Sequence, residues 1–426
     1  MRSHRHRRVI AAILGSLALV VPMACGSDDD STDTTSSGTD QSESTSPEHS
    51  SDSSHSSGED PYAVTREAAS HMPMTADALA SGFDTALKLP GTADSDAAAL
   101  RASLTYLLTE HVYLAGIAVD TAYVAGADSA EFKLAAAALD ENSVALADAV
   151  GSIAGDAKRK VFLQAWRSHI NDFVSYAVAA KEGDNAGKQE ALKNLAGYQK
   201  VAGKFFEEIT GGALPASAVE ASLSEHVKTL AAAIDAFASG DGTGFDKLKA
   251  AADHMPMTAM ALADGIDQAT DTAGNPNDQA SEVRALLNAK LTEHVYLAGI
   301  AVFTAYVDGA DSESFAAAAA TLDDNSVEIA DAVGSLTDQA TRDSFLQSWR
   351  THIDNFVSYA VGVAEDDQAA QDEAQEALQG YAEAQGRTLS KLTGGALPAA
   401  PVQMEFEMHI ASLTAAIDAL AAALLR

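Results

Sequence analysis

Eight histidines in this chain fall into four pairs, His71/His254, His111/His294, His169/His352 and His226/His409. Each pair is separated by 183 positions (254 − 71, 294 − 111, 352 − 169 and 409 − 226). Residues three, four and seven apart share one face of a helix. At those offsets His111 has Leu104, Leu108 and Leu114; His169 has Phe162, Trp166 and Phe173; His226 has Val219, Leu223 and Leu230; His71 has Val64, Ala68 and Ala78. An imidazole buried on such a face without a partner costs about 1–3 kcal/mol. Burial also favours the neutral form, which is the form that ligates metals. Four such groups in a helical unit need a shared ligand or a closed set of hydrogen bonds. Asn142 and Asn325 lie on apolar faces too and are candidates for the same polar layer.

Methionines flank the first histidine of each set: Met72 and Met74 beside His71, Met255 and Met257 beside His254. Imidazole with thioether suits copper, Cu(I) in particular. The expectation is one copper-type site per repeat. His71, His111, His169 and His226, with Met72 or Met74, would form the first. His254, His294, His352 and His409, with Met255 or Met257, would form the second. Two alternatives stay open: haem or another flat cofactor held non-covalently between opposed histidines, and a hydrogen-bonded histidine core in a structural or partner-binding surface protein. The Glu-x-x-His spacing of di-iron bundles is missing. Glu110, Glu225 and Glu293 directly precede their histidines, about 100° away around a helix; Glu110 and Glu293 are expected to be solvated, the alternative being that they support the neighbouring site. Nothing assembles a nucleophile with a base, and phosphate-loop, Cys-x-x-Cys, His-Glu-x-x-His and Gly-x-Ser-x-Gly motifs are absent. The expectation is a binding protein and not an enzyme.

The histidines belong to a duplicated block. Leu108 to Val119 reads Leu-Thr-Glu-His-Val-Tyr-Leu-Ala-Gly-Ile-Ala-Val and returns unchanged from Leu291 to Val302; His71-Met72-Pro73-Met74-Thr75 returns from His254 to Thr258. A period this long is a domain and not a solenoid repeat. Gly and Asp clusters punctuate six helical segments in the first copy, about 62–88, 96–126, 129–152, 156–182, 185–210 and 215–238. The expected fold is all-α, two homologous antiparallel helical bundles in tandem (61–242 and 243–426). Pro73 and Pro256 should bend the first helix of each copy beside the His-Met cluster. The copies differ where Lys290 replaces Leu107, Met260 replaces Asp77 and Met408 replaces Glu225.

Residues 1–25 read as an export signal: Arg2, Arg5, Arg7 and Arg8, a short apolar run, then Ala24-Cys25-Gly26. Cys25, the only cysteine, is expected to carry a lipid that anchors the protein to the outer face of the cell membrane; the alternative is a plain signal peptide. Residues 26–60, rich in Ser, Thr and Asp and holding His49 and His55, read as a disordered tether. A formal net charge of −34 repels nucleic acid and favours cations. The expected partners are therefore the membrane, through the anchor, and a metal ion.

Glu-His-Val-Tyr-Leu-Ala (110–115), Leu-Asp-Glu-Asn-Ser-Val (139–144) and Trp-Arg-Ser-His-Ile-Asn-Asp-Phe-Val-Ser-Tyr (166–176) resemble a group of exported bacterial helical proteins that carry this block twice and are sometimes labelled copper amine oxidase-like. The resemblance spans about residues 62–426 and implies export and a duplicated helical fold. The chain has no Thr-x-x-Asn-Tyr-Asp/Glu-type quinone-forming sequence, so oxidase activity does not follow from it.

Overall fold

The structure, a computed structural model, describes residues 60–425. The expected signal, Cys25 and all but the last residue of the expected tether lie outside the described residues. Fourteen helices fill the described part, with no strand among its residues. Repeat one contributes α1 (Pro61–Ser70), α2 (Met72–Leu87), α3 (Asp96–Val124), α4 (Ala130–Ala154), α5 (Asp156–Glu182), α6 (Asn185–Ile209) and α7 (Ala216–Ser239). Repeat two contributes α8 (Gly244–Ala252), α9 (Met255–Thr270), α10 (Gln279–Asp308), α11 (Glu313–Leu336), α12 (Gln339–Ala364), α13 (Gln368–Leu392) and α14 (Ala399–Leu424).

Local chemistry sets these boundaries. Ser95, Ser129, Asp278 and Ser312 cap α3, α4, α10 and α11, each side chain accepting a backbone N–H three residues on. Gly183 and Gly240 end α5 and α7 in the left-handed region, φ 71° and 67°, where a Cβ is costly. The expected single helix over 62–88 is two helices. Pro73 lacks the N–H that would bond back to Ala69, so α1 stops at Ser70 and α2 restarts at Met72. His71 sits at that break and not mid-helix, and His254 occupies the same break between α8 and α9.

The two repeats interlock. α3 and α10 form the most extensive helix pair among the described residues. α2 of repeat one packs along α10 of repeat two, and α9 of repeat two packs along α3 of repeat one. α1 lies against α14, while α8 lies against α7. The crossing contacts occur in equivalent pairs. Ala97 N–H donates to the carbonyl of Ala273 at 3.0 Å, and its counterpart Ala280 donates to that of Pro90 at 3.1 Å. A Cβ on Gly82 would sit 2.1 Å from Leu397, and one on Gly265 would sit 2.6 Å from Leu214, so each exchanged helix docks through a bare spot. Arg284 of α10 adds a two-pronged bond to Asp77 of α2, 2.6 and 2.5 Å. The described residues thus make one compact unit. Its first bundle holds α3–α7 closed by α8 and α9; its second holds α10–α14 closed by α1 and α2.

Candidate metal centres

Three histidines meet inside each bundle. His111 on α3, His169 on α5 and His226 on α7 each present a ring nitrogen within 4.8 Å of the other two. His294 on α10, His352 on α12 and His409 on α14 repeat the arrangement. Ring centroids lie 5.5 Å apart for His111–His169 and 6.1 Å for His111–His226, against 5.5 and 5.9 Å in the second set. All six side chains are buried. Trp166 crosses His111 and His169 at 4.7 and 4.5 Å, Tyr198 stacks on His169 at 4.6 Å, and Phe173 meets His226 edge-on. Trp349, Tyr381 and Phe356 do the same in the second bundle.

This apolar cage keeps the imidazoles neutral. Burial, reinforced by the neighbouring His226, pulls His111 down to about 3. Burial with His409 does the same to His294, also to about 3. His226 and His409 are held at about 4, again chiefly by burial, and His169 and His352 lie well below the usual value. The nitrogens are also short of partners. Nδ1 of all six histidines, and Nε2 of His294 and His409, have no hydrogen bond. Buried polar atoms are paired in the great majority of cases. Six buried imidazoles, each with an unpaired Nδ1, in two equivalent clusters therefore define two sites capable of coordinating a metal ion.

The exchange redistributes the remaining expected ligands. Met255 lines the cavity of the first bundle, about 70 Å³, together with His111, His169 and His226. Met72 lines that of the second, about 30 Å³, with His294 and His409. Each buried methionine therefore lines the cavity that holds the histidines of the other repeat. His71 and His254 follow them and join neither triad. The expected four-histidine sets within one repeat are corrected accordingly, because α2 and α9 are exchanged. His254 lies across from repeat one, its Nε2 3.1 Å from the Ser222 carbonyl and 3.3 Å from its hydroxyl. Met74 and Met257 point outward, 50% and 58% exposed, and are removed from the ligand set. Met260 and Met408 lie at the surface as well.

Glu110 and Glu293 are not solvated as expected; they are 0% and 2% exposed. Each carboxylate accepts from the asparagine of its own repeat, Asn142 and Asn325, at 2.8 Å. Each also accepts from a tyrosine of the other, Tyr296 to Glu110 at 2.9 Å and Tyr113 to Glu293 at 3.0 Å. Tyr113 and Tyr296 stack in parallel, 5.7 Å apart, between them. Arg66 supports Glu110 at 3.3 Å. Around Glu293, Asp253 and Glu328 complete a three-carboxylate cluster that is geometrically able to take a cation. Lys249 and Lys290 already neutralise it, with Lys249 2.7 Å and Lys290 2.5 Å from Glu328. Lys290, which replaces Leu107 one turn before His294, is committed to these carboxylates. The signal for the buried glutamates was their identical recurrence ahead of a core histidine.

Comparisons with protein-family models, with curated proteins and with solved structures find no match to this chain. What the sequence and geometry define is an all-α protein with paired buried histidine centres, and not membership of a particular lipoprotein family.

Proposed function

We propose that each bundle binds one metal ion through its histidine triad, with copper as the preferred metal, and that the protein buffers or hands over that metal outside the cytoplasm, anchored through Cys25. The observation that carries this reading is the convergence of three neutral imidazoles, each with an unpaired Nδ1, in a buried aromatic cage. Metal–nitrogen bonds of about 2.0–2.1 Å require the ring nitrogens to close in by roughly an ångström, a small side-chain rotation. Met255 and Met72 stand beside the triads as thioether donors. Asn142 and Asn325, tied to the buried glutamates, lie beside His111 and His294, where they would help to orient a ligating ring. The proposed role is binding rather than catalysis. A porphyrin suits the geometry poorly: drug-sized ligands occupy roughly 300–1,000 Å³, far more than a cavity of about 70 Å³.

The test is a Cu(I) titration followed by tryptophan emission. The chain has two tryptophans, one against each triad. Stepwise change in emission, reduced by half in Trp166→Phe and saturating near two equivalents, is the expected result. Unchanged emission at ten equivalents contradicts the reading.

A further inference from the structure

The two triads are chemically identical, yet their cavities are not. Ser222 lines the first beside His226, and the residue 183 positions later is Glu405, which lines the second beside His294, His409 and Met72. Glu405 precedes His409 by four residues, as Ser222 precedes His226, so each shares its histidine's helix face. The exchanged helix fixes both side chains. Thr258 Oγ1 lies 2.7 Å from the Ser222 hydroxyl, and Thr75 donates to Glu405 Oε2 at 3.2 Å. Ser222 is further engaged by His254. No carboxylate lines the first cavity.

A buried ion needs compensating charge, and the need grows steeply with its own charge. Three neutral imidazoles and a thioether leave a divalent ion with its full +2 in the first cavity; Glu405 halves that in the second. Thioether and imidazole without an anion match Cu(I), whereas a borderline divalent ion such as Zn²⁺ accepts imidazole with carboxylate. Resting on the histidine-centre reading above, we propose that the sites are specialised: both bundles accept copper, but only the second, where the Glu405 carboxylate lines the cavity and offsets part of the ion's charge, also holds a divalent ion such as Zn²⁺ tightly.

The test uses the full chain, without a histidine tag, titrated separately with Zn²⁺ and with Cu(I) under a competing chelator. Wild-type protein should show one tight and one weak Zn²⁺ site. Glu405→Ser should weaken the tight site about 10–100-fold, the range of a lost supporting ligand. Ser222→Glu should strengthen the weak one, which keeps the test informative even if Glu405→Ser disturbs folding. Cu(I) affinity at the first site should be unmoved by Glu405→Ser. Two equal Zn²⁺ sites, both dependent on the histidines and indifferent to Glu405→Ser, overturn the specialisation while leaving the triads as metal centres. Failure of both metals to bind overturns both readings.

Discussion

Tyr113 of the first repeat donates its hydroxyl to Oε2 of Glu293 of the second, 3.0 Å away in the middle of the molecule. The reciprocal bond, Tyr296 to Glu110, lies across the stacked tyrosine pair. Each of these carboxylates also holds the asparagine beside a triad histidine, so the contact that ties the repeats together also frames both sites. Burial pushes both tyrosine hydroxyls well above their ordinary range, and the adjacent carboxylate adds to it, which keeps them as donors. Tyr113→Phe removes a bond to a buried carboxylate and should destabilise the protein by about 1–3 kcal/mol. Urea unfolding of Tyr113→Phe and Tyr296→Phe reads this directly; an unchanged midpoint in both contradicts the role assigned to the bridge.

The exchanged helices dock through Gly265 against Leu214 and Gly82 against Leu397. Gly265→Ala forces a methyl into that contact, an overpacking cost of about 1–3 kcal/mol. The loss should be local, with faster amide exchange across Met255–Thr270 and little change in α4–α6. Uniform protection across the chain would argue against a separately docked helix.

In an isolated first repeat, α2 has lost α10 and α3 has lost α9. The geometry predicts that residues 60–242 pair with a second copy by reciprocal exchange. Light scattering should give twice the chain mass; a stable monomer would mean that α2 folds back onto its own repeat.

Much of this was legible in the sequence. The 183-residue period, the Gly and Asp punctuation and the apolar faces around His111, His169 and His226 placed the helix ends within a few residues and turned those histidines inward. The exchange was not legible, because two near-identical repeats offer a helix two near-identical docking surfaces; only the short connections decide between them. Glu110 was misjudged for a related reason. Helical periodicity places it off the histidine face, but α3 is buried on several sides by α10, α9 and α4, so a second face is also interior. Ser222 and Glu405 were readable as an aligned difference one turn from a triad histidine; the differences singled out instead lie at the surface (Met260, Met408) or in the carboxylate cluster around Glu293 (Lys290).

In the metal-free protein, acid should unfold the bundles early. Burial holds His111 and His294 at about 3, and His226 and His409 at about 4, against 6.5 for the free side chain. The unfolded chain therefore binds protons that the folded chain refuses, and stability rises with pH. It is intact above about 6.5 and is lost as pH falls from there towards 4 and 3. Each histidine contributes about 1.4 kcal/mol per pH unit within that window. His111→Leu with His294→Leu should flatten the decline, measured as urea midpoint against pH. An equally steep decline in that double variant contradicts neutral burial of the triads. At pH 7 metal uptake should release no protons, because the ligands are already deprotonated.

The central claim is that His111, His169 and His226, with their counterparts 183 positions on, each hold one metal ion. Its most direct test is metal analysis of the untagged protein after copper loading and desalting, beside His111→Ala and the double variant His111→Ala/His294→Ala. The account predicts two, one and no copper ions per chain in that order. Two ions retained in the double variant, or none in the wild type, would contradict it.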